Sequence, residues 1–206
     1  MACYKLHYFA VRGRGELIRM LFILAKVDFQ DIRVNEGGVD EWEEYRHGTP
    51  TGELPFLEVD GKQLTQSLTI ARYLARKFGL AGDTNWEQAL VEQIVDTCDD
   101  LRAENAKIIH ERDESKLKYL KSKMTEEVLP KFQNRLTRFL QQHGDRYFVG
   151  SKITLADLAV HEVFTTFLQN DPSILDEHNS LTEHRRLVEQ HPNLREYILN
   201  RPYSVV

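Results

Sequence analysis

The sequence predicts two domains of different class: an α/β domain over residues 1–80 built on a mixed four-stranded sheet, and an all-helical domain over 81–206. Three observations predict it. Alternating, aromatic-rich segments are confined to the first third of the chain, a two-residue hairpin signal, Asp60-Gly61, lies among them, and beyond Asn85 the apolar spacing is helical throughout.

Residues 4–9 (YKLHYF) alternate in character and run into Arg12-Gly-Arg-Gly, which predicts a strand ending in a turn. From Glu16 to Ala25, Leu17, Ile18, Leu21, Phe22 and Leu24 recur at helical spacing, and Glu16 stands at the positive end of the helix dipole. Phe29 to Val34 alternates again, completing a parallel strand-helix-strand unit. A helical or loop segment around Trp42 follows. Pro55–Val59 and Gln63–Thr65 then flank Asp60-Gly61 as an antiparallel pair. Ser67 opens a helix through Ile70, Ala71, Leu74 and Phe78, which Gly79 closes. This order is a thioredoxin-like topology.

In the second domain Leu90, Ile94, Cys98 and Leu101 set a long helical period, and Pro130, Gly144, Gly150, Pro172, Pro192 and Pro202 divide the domain into about five helices. Thr154-Leu-Ala-Asp157 has the form of a capping box before an apolar run, which predicts a buried helix with a structural role.

Composition narrows the function. The 206 residues are 41% hydrophobic, enough for a core without staples. The longest apolar run, Met20 to Ala25, falls far short of the roughly 20 residues that span a bilayer. Lys5, His7 and Arg12 break the amino terminus, which lacks the pattern of a signal peptide, so the expected location is cytoplasmic. Cys3 and Cys98 form no C-x-x-C pair, so a redox-active thiol is expected to come from a ligand. The formal net charge of -5 argues against nucleic acid and anionic lipid as partners and favours small-molecule chemistry.

Several motifs compete for that chemistry. Gly13-Arg14-Gly15 imitates the start of a dinucleotide fingerprint, but Ile18 stands where its third glycine belongs, and a tight turn needing small residues is the better reading. The eight histidines show no metal-ligand spacing, and there is no G-x-S-x-G elbow or Walker loop. His7 reads as a half-buried strand residue without a role. Asp96, Asp99 and Asp100 put three carboxylates on one helix face; a positive partner and a solvated acidic face both explain them, and spacing does not choose.

Taken together, Tyr4-Lys-Leu-His-Tyr8-Phe, Arg12-Gly-Arg14-Gly-Glu16, Leu54-Pro55, Leu57-Glu-Val-Asp-Gly61, Gln66-Ser67 and Ala71-Arg-Tyr-Leu74 resemble the cytosolic glutathione S-transferases over the whole chain. Ile94-Val-Asp-Thr-Cys-Asp-Asp100 makes the pattern similar to the sigma class, which includes haematopoietic prostaglandin D synthase, many invertebrate enzymes and the cephalopod lens S-crystallins.

The resemblance implies a detoxifying enzyme that conjugates glutathione, its co-substrate, to small hydrophobic electrophiles, with no obligatory metal. It implies that the Tyr8 hydroxyl donates to the glutathione sulfur and that Arg14 favours the thiolate by its charge. A free thiol has a pKa of about 8.5, so making thiolate dominant at neutral pH takes roughly 2.7 kcal/mol. One neutral hydrogen bond gives up to about 1.5 and a bond to a charged group up to about 3, so a second contributor is expected.

By the same resemblance Pro55 is a cis-proline that frees the Leu54 backbone to pair with the cysteinyl part of glutathione. Gln66 and Ser67 hold the γ-glutamyl carboxylate at a helix start, Trp42 and Arg46 hold the glycyl carboxylate after an insertion at Gly37 and Gly38, and Gly52 and Glu53 line the same site. Asp100 reaches the γ-glutamyl amine in the other subunit of a homodimer, and Asp96, Asp99 and Asp100 are the candidate positions for an interface cation. The electrophile is expected against Phe9, Arg12, Arg14, Arg102, Asn105, Ala106 and Val206. Lys107 and Glu53 depart from the prostaglandin synthase pattern, which leaves prostaglandin isomerase or peroxidase activity, and a non-catalytic crystallin-like or ligand-binding role, as the alternatives.

Overall fold

The structure is a computed structural model describing residues 2–34, 39–143 and 146–204, with 39–41 described in backbone only. The residues fall into two compact units, one comprising Met1–Leu80 and Glu189–Val206 and the other Ala81–Val188. The last segment of the chain thus groups with the α/β unit rather than with the helices that precede it.

In the first unit β1 (Tyr4–Phe9), α1 (Glu16–Ala25), β2 (Gln30–Val34), α2 (Val39–Arg46), β3 (Phe56–Val59), β4 (Lys62–Thr65) and α3 (Ser67–Lys77) follow in order. The sheet order is β2-β1-β3-β4, with β1 and β2 parallel and the other two pairs antiparallel. This is the mixed four-stranded sheet that the alternation and the hairpin signal predict. Asp60 and Gly61 turn the hairpin with φ of 50° and 80°, as a two-residue turn matched to strand twist requires. Because side chains alternate across a strand, Tyr4, Leu6 and Tyr8 are buried on one face of β1, whereas Lys5, His7 and Phe9 lie on the other. α1 buries Leu17, Ile18, Met20, Leu21 and Phe22, and α3 buries Ile70, Ala71, Leu74 and Ala75.

Among the described residues the second unit holds α4 (Asn85–His110), α5 (Glu114–Lys123), α6 (Leu129–His143), α7 (Leu155–Asn170) and α8 (Asn179–Glu189). Pro130, read from the sequence as a break, does not end a helix. A single widened turn over Met124–Val128, in which the Leu129 N–H reaches back five residues to the Met124 carbonyl, joins α5 to α6. A proline ring crowds the carbonyl four residues before it, and widening that turn makes room for it. α7 is buried along most of its length, as the box ahead of it predicts. No helix of the described residues is long and apolar enough to cross a membrane.

Candidate active site

Within the first unit the Tyr8 ring, 8% exposed, packs under the single turn of 3-10 helix at Gly13–Gly15. The backbone N–H of Arg14 donates to Tyr8 Oη at 2.9 Å. A hydroxyl that accepts from an amide keeps its own proton to give to a third group, and the accepted bond polarises it into a stronger donor. That arrangement suits a phenol stabilising an anion.

The two glycines of this turn are explained by the tyrosine. A Cβ at Gly13 would stand 2.5 Å from Tyr8 Oη, and one at Gly15 would stand 2.4 Å from Tyr8 Cδ1. The Gly13-Arg14-Gly15 motif therefore keeps backbone against an aromatic ring, which settles the turn-versus-nucleotide question in favour of the turn. Gly15→Ala is expected to cost about 1–3 kcal/mol of stability by overpacking and to move the phenol off its amide. Urea unfolding together with the conjugation rate checks this: a variant with wild-type stability and rate contradicts the packing.

The Arg14 side chain is exposed at the mouth of this turn, with Nη1 3.5 Å from Ser67 Oγ. Ser67 is buried and opens α3. Before it, Gln66 holds φ 71° and ψ 112°, and no side chain caps the first turn of the helix. A non-glycine residue at positive φ costs on the order of 1–3 kcal/mol, and such strain clusters at ligand sites. An uncapped helix start beside a guanidinium is a seat for a carboxylate. Tyr8, Arg14, Gln66 and Ser67 are thus brought together.

Leu54-Pro55 is a cis peptide at the entrance to β3, preceded by Gly52 at φ 74° and the exposed Glu53. On the other face of β1, Phe9 meets Trp42 edge-on with ring centroids 5.0 Å apart. Neighbouring His7 stacks on Phe56 at 4.1 Å and hydrogen-bonds the Tyr45 hydroxyl. Burial lowers the His7 pKa, so near neutral pH its ring serves as an uncharged spacer holding α2 to the sheet. Arg46, exposed on α2, pairs with Glu43 at 3.3 Å. Exposed pairs contribute little, so this guanidinium is free to exchange partners for a ligand carboxylate. The insertion at Gly37 and Gly38 lies outside the described residues.

Arg12, expected against the electrophile, is 4% exposed, and its side chain turns to the end of the chain, where Nη2 donates to the Ser204 carbonyl at 2.7 Å. Beneath the turn lies a charged cluster that the sequence reading missed. Arg19, 1% exposed, binds Asp31 at 3.1 Å, Glu16 at 3.3 Å and the Val11 carbonyl at 2.7 Å. Burial works against its charge, but Asp31 and Glu16 outweigh burial and its pKa is raised. Glu16 is itself buried, so it does far more than complement a helix dipole. The available signal was an arginine three residues after a glutamate in an otherwise apolar helix.

In the second unit Arg102, Asn105 and Ala106 are half-buried on α4 and Lys107 is exposed, paired with Glu104 at 2.6 Å. Val206 lies outside the described residues. Asp96 and Asp100 are exposed and Asp99 is half-buried, and Asp100 borders a groove that Lys123, Lys131 and Arg135 also line. The acidic stretch therefore has positive neighbours. No three His, Cys, Asp or Glu side chains among the described residues form a metal cage, so a cation at Asp96, Asp99 and Asp100 would need ligands from a second copy. Cys98 is buried, and burial pushes its thiol up to about 12, so it is an inert packing residue.

The site thus sets a polarised phenol close to an anion seat at a helix start. Comparison with known proteins agrees. Residues 4–76 match the family model of the glutathione S-transferase N-terminal domain, and residues 99–201 match that of the glutathione S-transferase C-terminal domain. Glutathione S-transferase 1 of Ascaris suum is 36% identical over 98% of each chain, and the human hematopoietic prostaglandin D synthase is 36% identical over 99% of each. The solved structure of a Nu-class glutathione S-transferase from Haemonchus contortus superposes with a TM-score of 0.91 at 39% identity, covering 100% of both chains. On its sequence, its sheet and the placing of Tyr8, this chain belongs to the glutathione S-transferase family.

Proposed function

We propose that this protein is a glutathione transferase that joins the thiolate of glutathione to small hydrophobic electrophiles in the cytoplasm. The observation that carries the reading is the Tyr8 hydroxyl, which accepts from the Arg14 amide and keeps its proton for the sulfur. Glutathione gives up its thiol proton to solvent, the sulfur lone pair forms a bond to the electrophilic carbon, and the leaving group departs with the electron pair of the bond that breaks. Tyr8 and Arg14 are the catalytic residues in this account, stabilising the thiolate before attack.

Residues 1–80 hold glutathione. Its γ-glutamyl carboxylate lies at Gln66 and Ser67, its cysteinyl backbone pairs with Leu54 beside Pro55, and its glycyl carboxylate meets Trp42 and Arg46, with Gly52 and Glu53 alongside. In the second unit, Arg102, Asn105 and Ala106 of α4 are the residues assigned to the electrophile. Asp100 of a second copy completes the γ-glutamyl site in a homodimer; its exposure supports this. Free thiols at Cys3 and Cys98 fit a reducing compartment.

One observation favours a second reading. The human relative of equal identity is a prostaglandin D synthase, so a glutathione-dependent isomerase is the competing specialisation. Here Lys107 is exposed and salt-bridged to Glu104 at a position where the resemblance implies a substrate-packing tryptophan, which favours general conjugation.

The test is the initial rate of glutathione conjugation to a chlorinated nitroaromatic at neutral pH. Saturable turnover above the uncatalysed rate is expected. Glutathione binding without turnover would move the account to a narrow isomerase or a non-catalytic, crystallin-like role.

A further inference from the structure

The returning carboxyl-terminal segment grips both ends of the turn that carries the Arg14 amide. Ahead of the turn, the backbone N–H of Arg12 donates to Ser204 Oγ at 3.1 Å and the Arg12 guanidinium donates to the Ser204 carbonyl at 2.7 Å, both bonds buried and 192 residues apart in sequence. The Arg12 carbonyl in turn accepts from the Gly15 and Glu16 amides at 3.1 and 2.9 Å, which closes the turn. Behind it, Glu16 accepts from the Tyr197 hydroxyl at 2.8 Å and from Arg201 at 2.9 Å. Burial, with Glu16 beside it, pushes the Tyr197 phenol up, so it remains the protonated donor. Arg12, Glu16 and Ser204 are each 7% exposed or less, so these bonds are shielded from competing water.

Gly13 and Gly15 bring no side chains to the turn, and its Arg14 amide must meet Tyr8 Oη at a set distance and angle if the phenol is to be polarised. We propose that Ser204 is a positioning residue for Tyr8: by fixing Arg12 it aims the Arg14 N–H at the Tyr8 hydroxyl and so sets how strongly that hydroxyl stabilises the sulfur anion. Tyr197 and Arg201 secure the other end of the turn through Glu16. The proposal rests on the transferase reading above, because the quantity it controls is ionisation of bound glutathione.

The test follows the ultraviolet absorbance of the bound thiolate against pH in the full chain, with conjugation kinetics alongside. Ser204→Ala removes the acceptor of the Arg12 amide. It is expected to raise the ionisation midpoint of bound glutathione by about half a unit to one unit and to lower kcat at neutral pH by about three- to tenfold. Glutathione affinity stays within about twofold, since no peptide-binding group is touched. Ser204→Thr, which restores a hydroxyl, returns the midpoint. Tyr197→Phe, which loosens the other end of the turn without touching Arg12, shifts the midpoint in the same direction and covers the case of a Ser204→Ala protein that does not fold.

The decisive comparison is made in a Tyr8→Phe background, where Ser204→Ala should move the midpoint no further. If it shifts the midpoint equally there, or if both single variants keep the wild-type midpoint, the tail is only structural and the proposal is overturned. Failure of the underlying reading looks different: wild-type protein would bind glutathione without depressing its ionisation at all, before any tail variant is made.

Discussion

Tyr8→Phe is expected to lower kcat for glutathione conjugation by about 10- to 150-fold at neutral pH, the equivalent of one hydrogen bond to an anion at about 1.5–3 kcal/mol. The change is confined to one oxygen. The ring stays wedged against Gly13 and Gly15, whose approach leaves no room for it to shift toward the turn. The loss should fall on kcat rather than on the KM for glutathione, because the carboxylates and backbone of the peptide are assigned to Gln66, Ser67, Leu54, Trp42 and Arg46. It is bounded because the positive charge of Arg14, which also favours the thiolate, is left in place. The pH profile carries the sign: without the hydroxyl the bound thiol ionises closer to its free value of about 8.5, so the deficit is largest at acidic pH and shrinks as pH rises. Initial rates across pH for both proteins check it.

A second large effect is expected far from the sulfur. Asp157→Ala should destabilise the helical unit by about 3–5 kcal/mol, measured as a lowered urea midpoint. Asp157 is fully buried. One carboxylate oxygen accepts from the Phe148 amide at 2.9 Å and lies 2.9 Å from His184 Nε2, and the other accepts from the amide and hydroxyl of Thr154 at 2.6 and 2.8 Å. Removing it orphans donors from three separate segments inside a core that contains Phe148 and α7, and each such donor is costly without water. Asp157→Asn keeps the shape and part of the bonding and should cost less. Equal midpoints for Asp157→Ala and wild type would contradict the burial of this network.

Much of this was legible in the sequence because local chemistry and tertiary role agree there. The strand 4–9, the helix Glu16–Ala25, the Asp60-Gly61 hairpin and the Ser67 helix start appear where alternation, period and turn residues put them. Thr154-Leu-Ala-Asp157 announced a buried helix, but not that its aspartate also reaches Phe148 and His184, since those contacts are set by packing and have no spacing to read. Pro130 misled for the opposite reason: its local penalty is absorbed by one widened turn, a solution invisible to propensity. At the site, Tyr8, Arg14, Gln66 and Ser67 were reached through a motif resemblance, whereas alternation alone marked Tyr8 only as an inward aromatic. Why the turn between them is glycine-rich needed coordinates. Glu16, Arg19, Asp31, Tyr197, Arg201 and Ser204 act across as many as 192 residues of sequence, and nothing local ties the tail to the turn.

The central claim is that the Tyr8 hydroxyl meets the sulfur of glutathione, and a crystal structure of the protein with glutathione bound tests it most directly. The account predicts the sulfur within hydrogen-bond distance of Tyr8 Oη, with the Arg14 amide still donating to that oxygen and the γ-glutamyl carboxylate at the start of α3. A sulfur turned away from Tyr8, or a tripeptide bound elsewhere in the chain, would contradict it.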